Sequence, residues 1–215
     1  MAEYIEKVVT SGTFSLDGGT WDVENNVWIV GNENSVIIID PAHNVDAISE
    51  KVNGRKVEKI LLTHAHDDHI GSAKEAAERF EAPVYLNSAD RQLWEMVYPQ
   101  WDFDEDLAEG TKIAIGSTEL RVLETPGHSP GSVCFYAPSL SWENSDGVVF
   151  TGDTLFQGGP GATGRSFSDF PTIINSITGK LLMLPESTAV LTGHGDETGI
   201  GLEAGDVKEW TKRGQ

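Results

Sequence analysis

The 215-residue sequence predicts an α/β protein with helices packed outside sheets. Three observations carry that prediction. Strand and helix patterns alternate in two similar halves. The run Val36-Ile37-Ile38-Ile39 is apolar on both faces, as a strand covered on both sides must be. No break in composition separates the halves, so residues 1–215 are expected to form a single domain. Hydrophobic residues make up 39%, enough for a sizeable core and too many for a disordered chain.

Residues 8–16 have strand composition, and Asp17-Gly18-Gly19 is a turn signal. Residues 26–30 and 35–40 read as a hairpin around Gly31-Asn32-Glu33-Asn34. A helix is expected over 45–53 and a buried strand over 57–63. Residues 72–80 have helical composition with Pro83 beyond their end, followed by a short strand at 84–86. Residues 89–98 predict a helix presenting Leu93, Trp94 and Val97. The second half returns to strands at 111–115, 119–123, 132–136 and 148–151, then a helix over 170–183 and a strand at 189–192.

Fifteen basic against 34 acidic residues leave a net charge of −19. Such a field repels nucleic acid and anionic membranes, so neither is an expected partner. A small anion stays admissible, because a bound metal reverses the local sign. The single cysteine, Cys134, excludes an internal disulfide and a thiolate zinc site, and is expected in the core. No basic segment followed by an apolar run opens the chain, and no apolar run approaches the ~20 residues of a membrane helix. A soluble, cytoplasmic protein is expected.

Three of the six histidines lie within six residues, His64-Ala65-His66-Asp67-Asp68-His69, directly after the strand at 57–63. His64 and His66 are two apart, so in extended backbone they point to one side. The chain then turns, and Asp68 and His69 face a second point nearby. These pairs suit two zinc-like ions. His128 in Pro126-Gly127-His128-Ser129, Asp153 in Gly152-Asp153-Thr154 and His194 in Gly193-His194-Gly195 also follow strands. A solvated polar loop would not concentrate histidine and aspartate in this way.

The series Thr63-His64-x-His66-x-Asp68-His69, then His128, Asp153 and His194, resembles the metallo-β-lactamase superfamily. The resemblance implies an αββα four-layer sandwich with metals at one edge between the sheets. It places His64, His66 and His128 on a first metal, Asp68, His69 and His194 on a second, and Asp153 between them. Asp40, after the strand at 36–39, would orient the histidine loop. Two divalent ions are implied, zinc first, with iron or manganese as alternatives. They outweigh Asp68, Asp153 and a bridging hydroxide, so the centre is positive inside a negative protein.

Gly152-Asp153-Thr154-Leu155-Phe156, followed by a glycine-rich loop to Arg165, resembles the short glyoxalase II-like branch. That branch implies a thioester hydrolase using a metal-bound hydroxide, with Asp68 and Asp153 as its catalytic carboxylates. Its substrate would be a small anionic thiol conjugate, with self-association left open. Common zinc β-lactamases have a cysteine where Asp153 stands, which argues against that branch. A lactonase, a mononuclear-iron persulfide dioxygenase using His64, His128 and Asp153, and a metal-binding scaffold without turnover are the alternatives. Arg165 is a candidate for the substrate's carboxylate, against a solvated surface arginine. His43 is a candidate for substrate contact or proton traffic, against a helix-entry residue facing solvent.

Overall fold

The structure, a computed structural model, describes residues 3–214; Met1, Ala2 and Gln215, the ends of the expected domain, lie outside the described residues. Its first half supplies strands β1 (Tyr4–Leu16), β2 (Gly19–Gly31), β3 (Ser35–Ile39), β4 (Lys56–Leu61), β5 (Val84–Leu86) and β6 (Glu105–Asp106). These form one sheet in sequence order. Helices α1 (Val45–Val52), α2 (Asp67–Ile70), α3 (Ala73–Phe80) and α4 (Arg91–Val97) come from the connections. The second sheet contains β7 (Lys112–Ile115), β8 (Thr118–Glu124), β9 (Val133–Ala137) and β10 (Val148–Gly152). A two-stranded ribbon, β11 (Leu155–Phe156) and β12 (Gly159–Pro160), precedes helix α5 (Phe170–Gly179). Strands β13 (Ala189–Thr192) and β14 (Thr198–Gly199) then complete the second sheet, in the order β14-β13-β10-β9-β8-β7. Helices α6 (Ile200–Glu203) and α7 (Val207–Arg213) close the described chain.

The pleat explains why the central strands are apolar on both faces. Val27, Ile29, Val36, Ile38 and Ile60 pack outward with Ile48 of α1 and Ala73 and Ala76 of α3. Their neighbours Trp28, Val30, Ile37, Ile39 and Leu61 pack inward against Leu120, Val122, Phe135, Phe150 and Leu191 of the second sheet. On that sheet's outer face Leu123, Cys134, Val149 and Val190 meet Ile173 and Ile177 of α5 and Trp210 of α7. Helix, sheet, sheet and helix are thus four layers with three cores, the αββα sandwich. Cys134 is fully buried, and burial pushes its thiol up to about 11. Among the described residues no helix is long and apolar enough to cross a membrane.

The elements differ from the sequence reading mainly where polar residues form strand. β1 and β2 pair along their whole length, from Tyr4 opposite Gly31 to Leu16 opposite Gly19. Residues 19–25 carry no apolar run, so only the main-chain ladder to β1 makes them a strand. Residues 67–70 close into one helical turn where a plain turn was expected. The helix expected over 170–183 stops at Gly179 and continues as a 3-10 turn, Leu181–Met183. Helices α6 and α7 were not anticipated, although Trp210 is wholly buried and anchors the second.

Strand direction positions the site. β3 and β4 are parallel, as are β10 and β13, and β8 runs antiparallel to β9, which runs antiparallel to β10. The carboxyl ends of β3 and β4 therefore lie together on one sheet, and those of β8, β10 and β13 on the other. Val133 N–H donates to Thr63 O at 2.8 Å and Asn26 N–H to Gly193 O at 2.7 Å, joining the two sheets at that edge.

Candidate metal centre

Seven side chains converge at this edge. His64 Nε2 and His128 Nε2 each lie 3.0 Å from His66 Nδ1. His69 Nε2 lies 3.2 Å from His194 Nε2, and Asp68 Oδ2 lies 3.2 Å from His194 Nε2 and 3.5 Å from His69 Nε2. Asp153 stands between the groups, with Oδ1 3.3 Å from His69 Nε2 and Oδ2 3.3 Å from His194 Nε2 and 3.5 Å from His128 Nε2. Each of the sets His64–His66–His128, His64–His69–Asp153 and Asp68–His69–His194 has its donor atoms within 4.8 Å of one another.

The outer nitrogens decide which face of each ring is basic. Thr63 Oγ1–H donates to Asp40 Oδ2 at 2.7 Å, so its oxygen accepts from His64 Nδ1 at 3.0 Å. His69 Nδ1 donates to Asp40 Oδ2 at 2.9 Å, His128 Nδ1 to Ala162 O at 2.8 Å, and His194 Nδ1 to Glu24 O at 2.6 Å. A neutral imidazole with its proton on Nδ1 presents a lone pair at Nε2. Four Nε2 atoms therefore face one another and two carboxylates, each offering a lone pair once its ring is neutral. His66 is reversed, with Nδ1 turned inward and its buried Nε2 unpartnered, and Asp153 Oδ1 is likewise buried without a hydrogen-bond donor. Only cations satisfy converging acceptors of this kind, and a histidine-rich set with oxygen partners behind the rings fits divalent metals. Asp40, in the left-handed region at φ 51°, accepts from Thr63 N at 2.8 Å and so locks the start of the histidine loop as well as the His69 ring.

Electrostatics divide the cluster. Burial holds His64 well below its ordinary value and His66 at about 3. Burial opposes charge on His69 and His194 too, but Asp68 and Asp153 overcome it, raising His69 well above the usual range and His194 to about 10. The same pairing, against burial, draws Asp68 down to about 2 and Asp153 well below the carboxylate range. Close backbone approach is built in at Gly193, where a Cβ would lie 2.3 Å from Asp153 Oδ1.

Three supporting residues escaped the sequence reading. Asp90, 1% exposed, accepts from Ala65 N at 2.9 Å, Ser129 Oγ at 2.7 Å and Gly131 N, so one carboxylate ties the His64–His66 loop to the His128 loop. Asn25 Nδ2 donates to Asp68 Oδ2 at 2.9 Å. Asn26 Nδ2 donates to Gly195 O at 2.9 Å, holding the His194 loop. The available signal was two amides directly before the apolar run Val27–Val30, since buried amides require partners.

The other two candidates sit at the rim. The Arg165 guanidinium stacks 3.8 Å from the Trp21 ring centre, Trp21 lies 5.7 Å from Phe14, and Phe14 lies 5.1 Å from His66. Asp17 accepts from Ser166 N at 2.9 Å, so the glycine-rich loop is closed onto the β1–β2 turn beside His66. His43 is half-buried and donates from Nε2 to Asn25 Oδ1 at 2.8 Å.

Comparison with known proteins agrees with this geometry. Residues 20–194 match the model of the metallo-beta-lactamase superfamily. The probable metallo-hydrolase YqgX of Bacillus subtilis is 36% identical over 192 residues, covering 83% of this chain and 88% of that protein. Hydroxyacylglutathione hydrolase GloC of Haemophilus influenzae is 32% identical over 195 residues, covering 84% and 89%. Among solved structures, BLEG-1 B3 metallo-beta-lactamase superposes with a TM-score of 0.77 at 31% identity, covering 94% of this chain and all of the other. TTHA1623 in a di-iron-bound form gives 0.73 at 33% identity, covering 85% and 93%. With its sandwich, its seven converging donors and these relatives, the chain is a metallohydrolase of the metallo-β-lactamase superfamily.

Proposed function

We propose that the protein hydrolyses small-molecule thioesters, with His64, His66 and His128 holding one divalent ion, Asp68, His69 and His194 a second, and Asp153 shared. Bound divalent metals supply a hydroxide nucleophile at neutral pH and an electrophile for a carbonyl oxygen. The observation that carries the thioester reading is the state of the carboxylates. Both belong to the donor sets, Asp68 with His69 and His194 and Asp153 with His64 and His69, so a bound cation occupies them and neither is left over as an acid for a departing group. A thiolate leaves without one, its conjugate acid having a pKa of about 8.5, whereas an amide nitrogen departs only when protonated. The relative named hydroxyacylglutathione hydrolase supports the same chemistry. Zinc is our choice of metal on the nitrogen-rich first set, with iron kept open by the di-iron neighbour. We assign Arg165, at the aromatic rim beside His66, to an anionic group of the substrate.

A β-lactam is the second reading, favoured by the BLEG-1 likeness. The test is hydrolysis by the metal-loaded protein of S-acyl thiols, lactones and a β-lactam in parallel. Thiol release with the highest kcat/KM is expected. Faster opening of a lactone or β-lactam would replace the proposal, and two bound metals with no turnover would leave a scaffold. Arg165→Ala is expected to raise KM for the preferred thioester about tenfold with kcat little changed, as loss of uniform binding requires. An unaltered KM removes Arg165 from the substrate site.

A further inference from the structure

We infer that His43 and Asn25 are positioning residues that set the metal affinity of the Asp68–His69–His194 set alone, through a hydrogen-bonded chain ending on the ligand oxygen of Asp68. The inference rests on reading the cluster as a two-ion centre.

Asn25 lies on β2, wholly buried. An ionised Asp68 only accepts, so the amide must turn Nδ2 toward it, and the contact is 2.9 Å to Oδ2. That orientation leaves Oδ1 facing His43, 2.8 Å from Nε2, which must therefore carry a proton. The chain has one direction: His43 donates to Asn25, and Asn25 donates to Asp68. Without His43 the buried amide oxygen loses its donor, and Asn25 is held from the Asp68 side alone.

The oxygen that receives Asn25 is the one facing the other two donors, with His194 Nε2 at 3.2 Å and His69 Nε2 at 3.5 Å. Asn25 thus fixes the rotation of the carboxylate that completes the second set. Its side-chain hydrogen bonds among the described residues go to Asp68 and His43. The placement of His43 is specific as well. Its backbone is left-handed at φ 57°, which costs energy for a residue with a side chain. Its ring occupies the space over Gly12 on β1, where a Cβ would lie 2.1 Å from Nδ1. Three separate segments are therefore shaped to bring one imidazole to one amide, although the seven ligands do not include it. Partners of this kind behind a metal ligand are worth about 10- to 100-fold in metal affinity.

The experiment is stepwise Zn²⁺ binding to the metal-stripped full chain, measured by chelator competition, with the metal-to-protein ratio read by mass spectrometry. Wild type is expected to bind two ions. His43→Leu and Asn25→Leu should leave the tighter step unchanged and weaken the other at least tenfold. His43→Gln, whose amide can donate to Asn25, should recover most of that loss. Gly12→Ala, which displaces the ring without altering either polar partner, should reproduce His43→Leu and serves if the latter does not fold. Two unchanged steps in His43→Leu or Gly12→Ala, equal weakening of both steps, or no recovery in His43→Gln would overturn the inference. A wild-type ratio of one ion would instead refute the two-ion centre beneath it.

Discussion

The two proposed ion sets differ in how strongly protons compete for them. His194, at about 10, holds a proton at neutral pH beside Asp68 and Asp153, and the same carboxylates raise His69 in the same direction, whereas His66, at about 3, holds none. A cation entering the Asp68–His69–His194 set must expel those protons, so its apparent affinity increases as pH rises toward about 10. The His64–His66–His128 set has already lost the protons of two of its rings. Between pH 6 and 8 we expect the weaker Zn²⁺ step to tighten by roughly tenfold per pH unit for each proton displaced. The other step should rise less steeply. Chelator competition at three pH values checks this, and equal slopes for both steps would contradict it.

Between elements, the decisive supports are carboxylates and amides bridging loops that no strand ladder joins. Asp90 begins the segment leading into α4, yet its oxygens gather N–H and O–H donors from the two loops that carry His64, His66 and His128. Burial raises its pKa, and those donors work in the opposite direction. Asp90→Asn replaces one acceptor with an N–H that must face another donor. It should destabilise the protein by about 1–3 kcal/mol, the usual cost of leaving buried groups unpaired. Urea unfolding of the metal-stripped protein measures this apart from metal binding, and a change under ~0.3 kcal/mol would mean the loops are held otherwise. The β1–β2 turn shows the same principle at the rim, where Asp17 and Trp21 secure the loop carrying Arg165.

At the scale of the whole molecule, a charge of −19 on 215 residues makes self-repulsion a general destabilising force. Repulsion between exposed charges is screened within a Debye length, about 10 Å at 0.1 M salt. Raising NaCl from about 0.05 to 0.5 M is therefore expected to raise the melting temperature by a few degrees. A falling Tm would show that exposed ion pairs such as Arg91–Asp102 and Lys112–Glu119 outweigh the repulsion.

The sequence by itself determined that helices pack outside sheets and that histidines crowd one strand-end loop, because both are written in local chemistry; the four layers and the full donor set came with the family resemblance. A strand buried on both faces must be apolar at every position, as in Val36–Ile39, and histidines two residues apart must share a side in extended backbone. Motif order then carried the resemblance to the family. Tertiary structure alone decided what stands behind the ligands. Asn25, Asn26 and Asp90 are ordinary polar residues in the sequence, and their roles exist only because β2 lies beside the His194 loop and α4 begins under the two histidine loops. Helix α7 and the strand character of residues 19–25 were hidden for the same reason. Their stability comes from a partner that their own pattern does not reveal, Cys134 and Val149 packing with Trp210 in one case and the main-chain ladder to β1 in the other. A side chain's type constrains the bonds it can make, and only the fold brings the partner within reach.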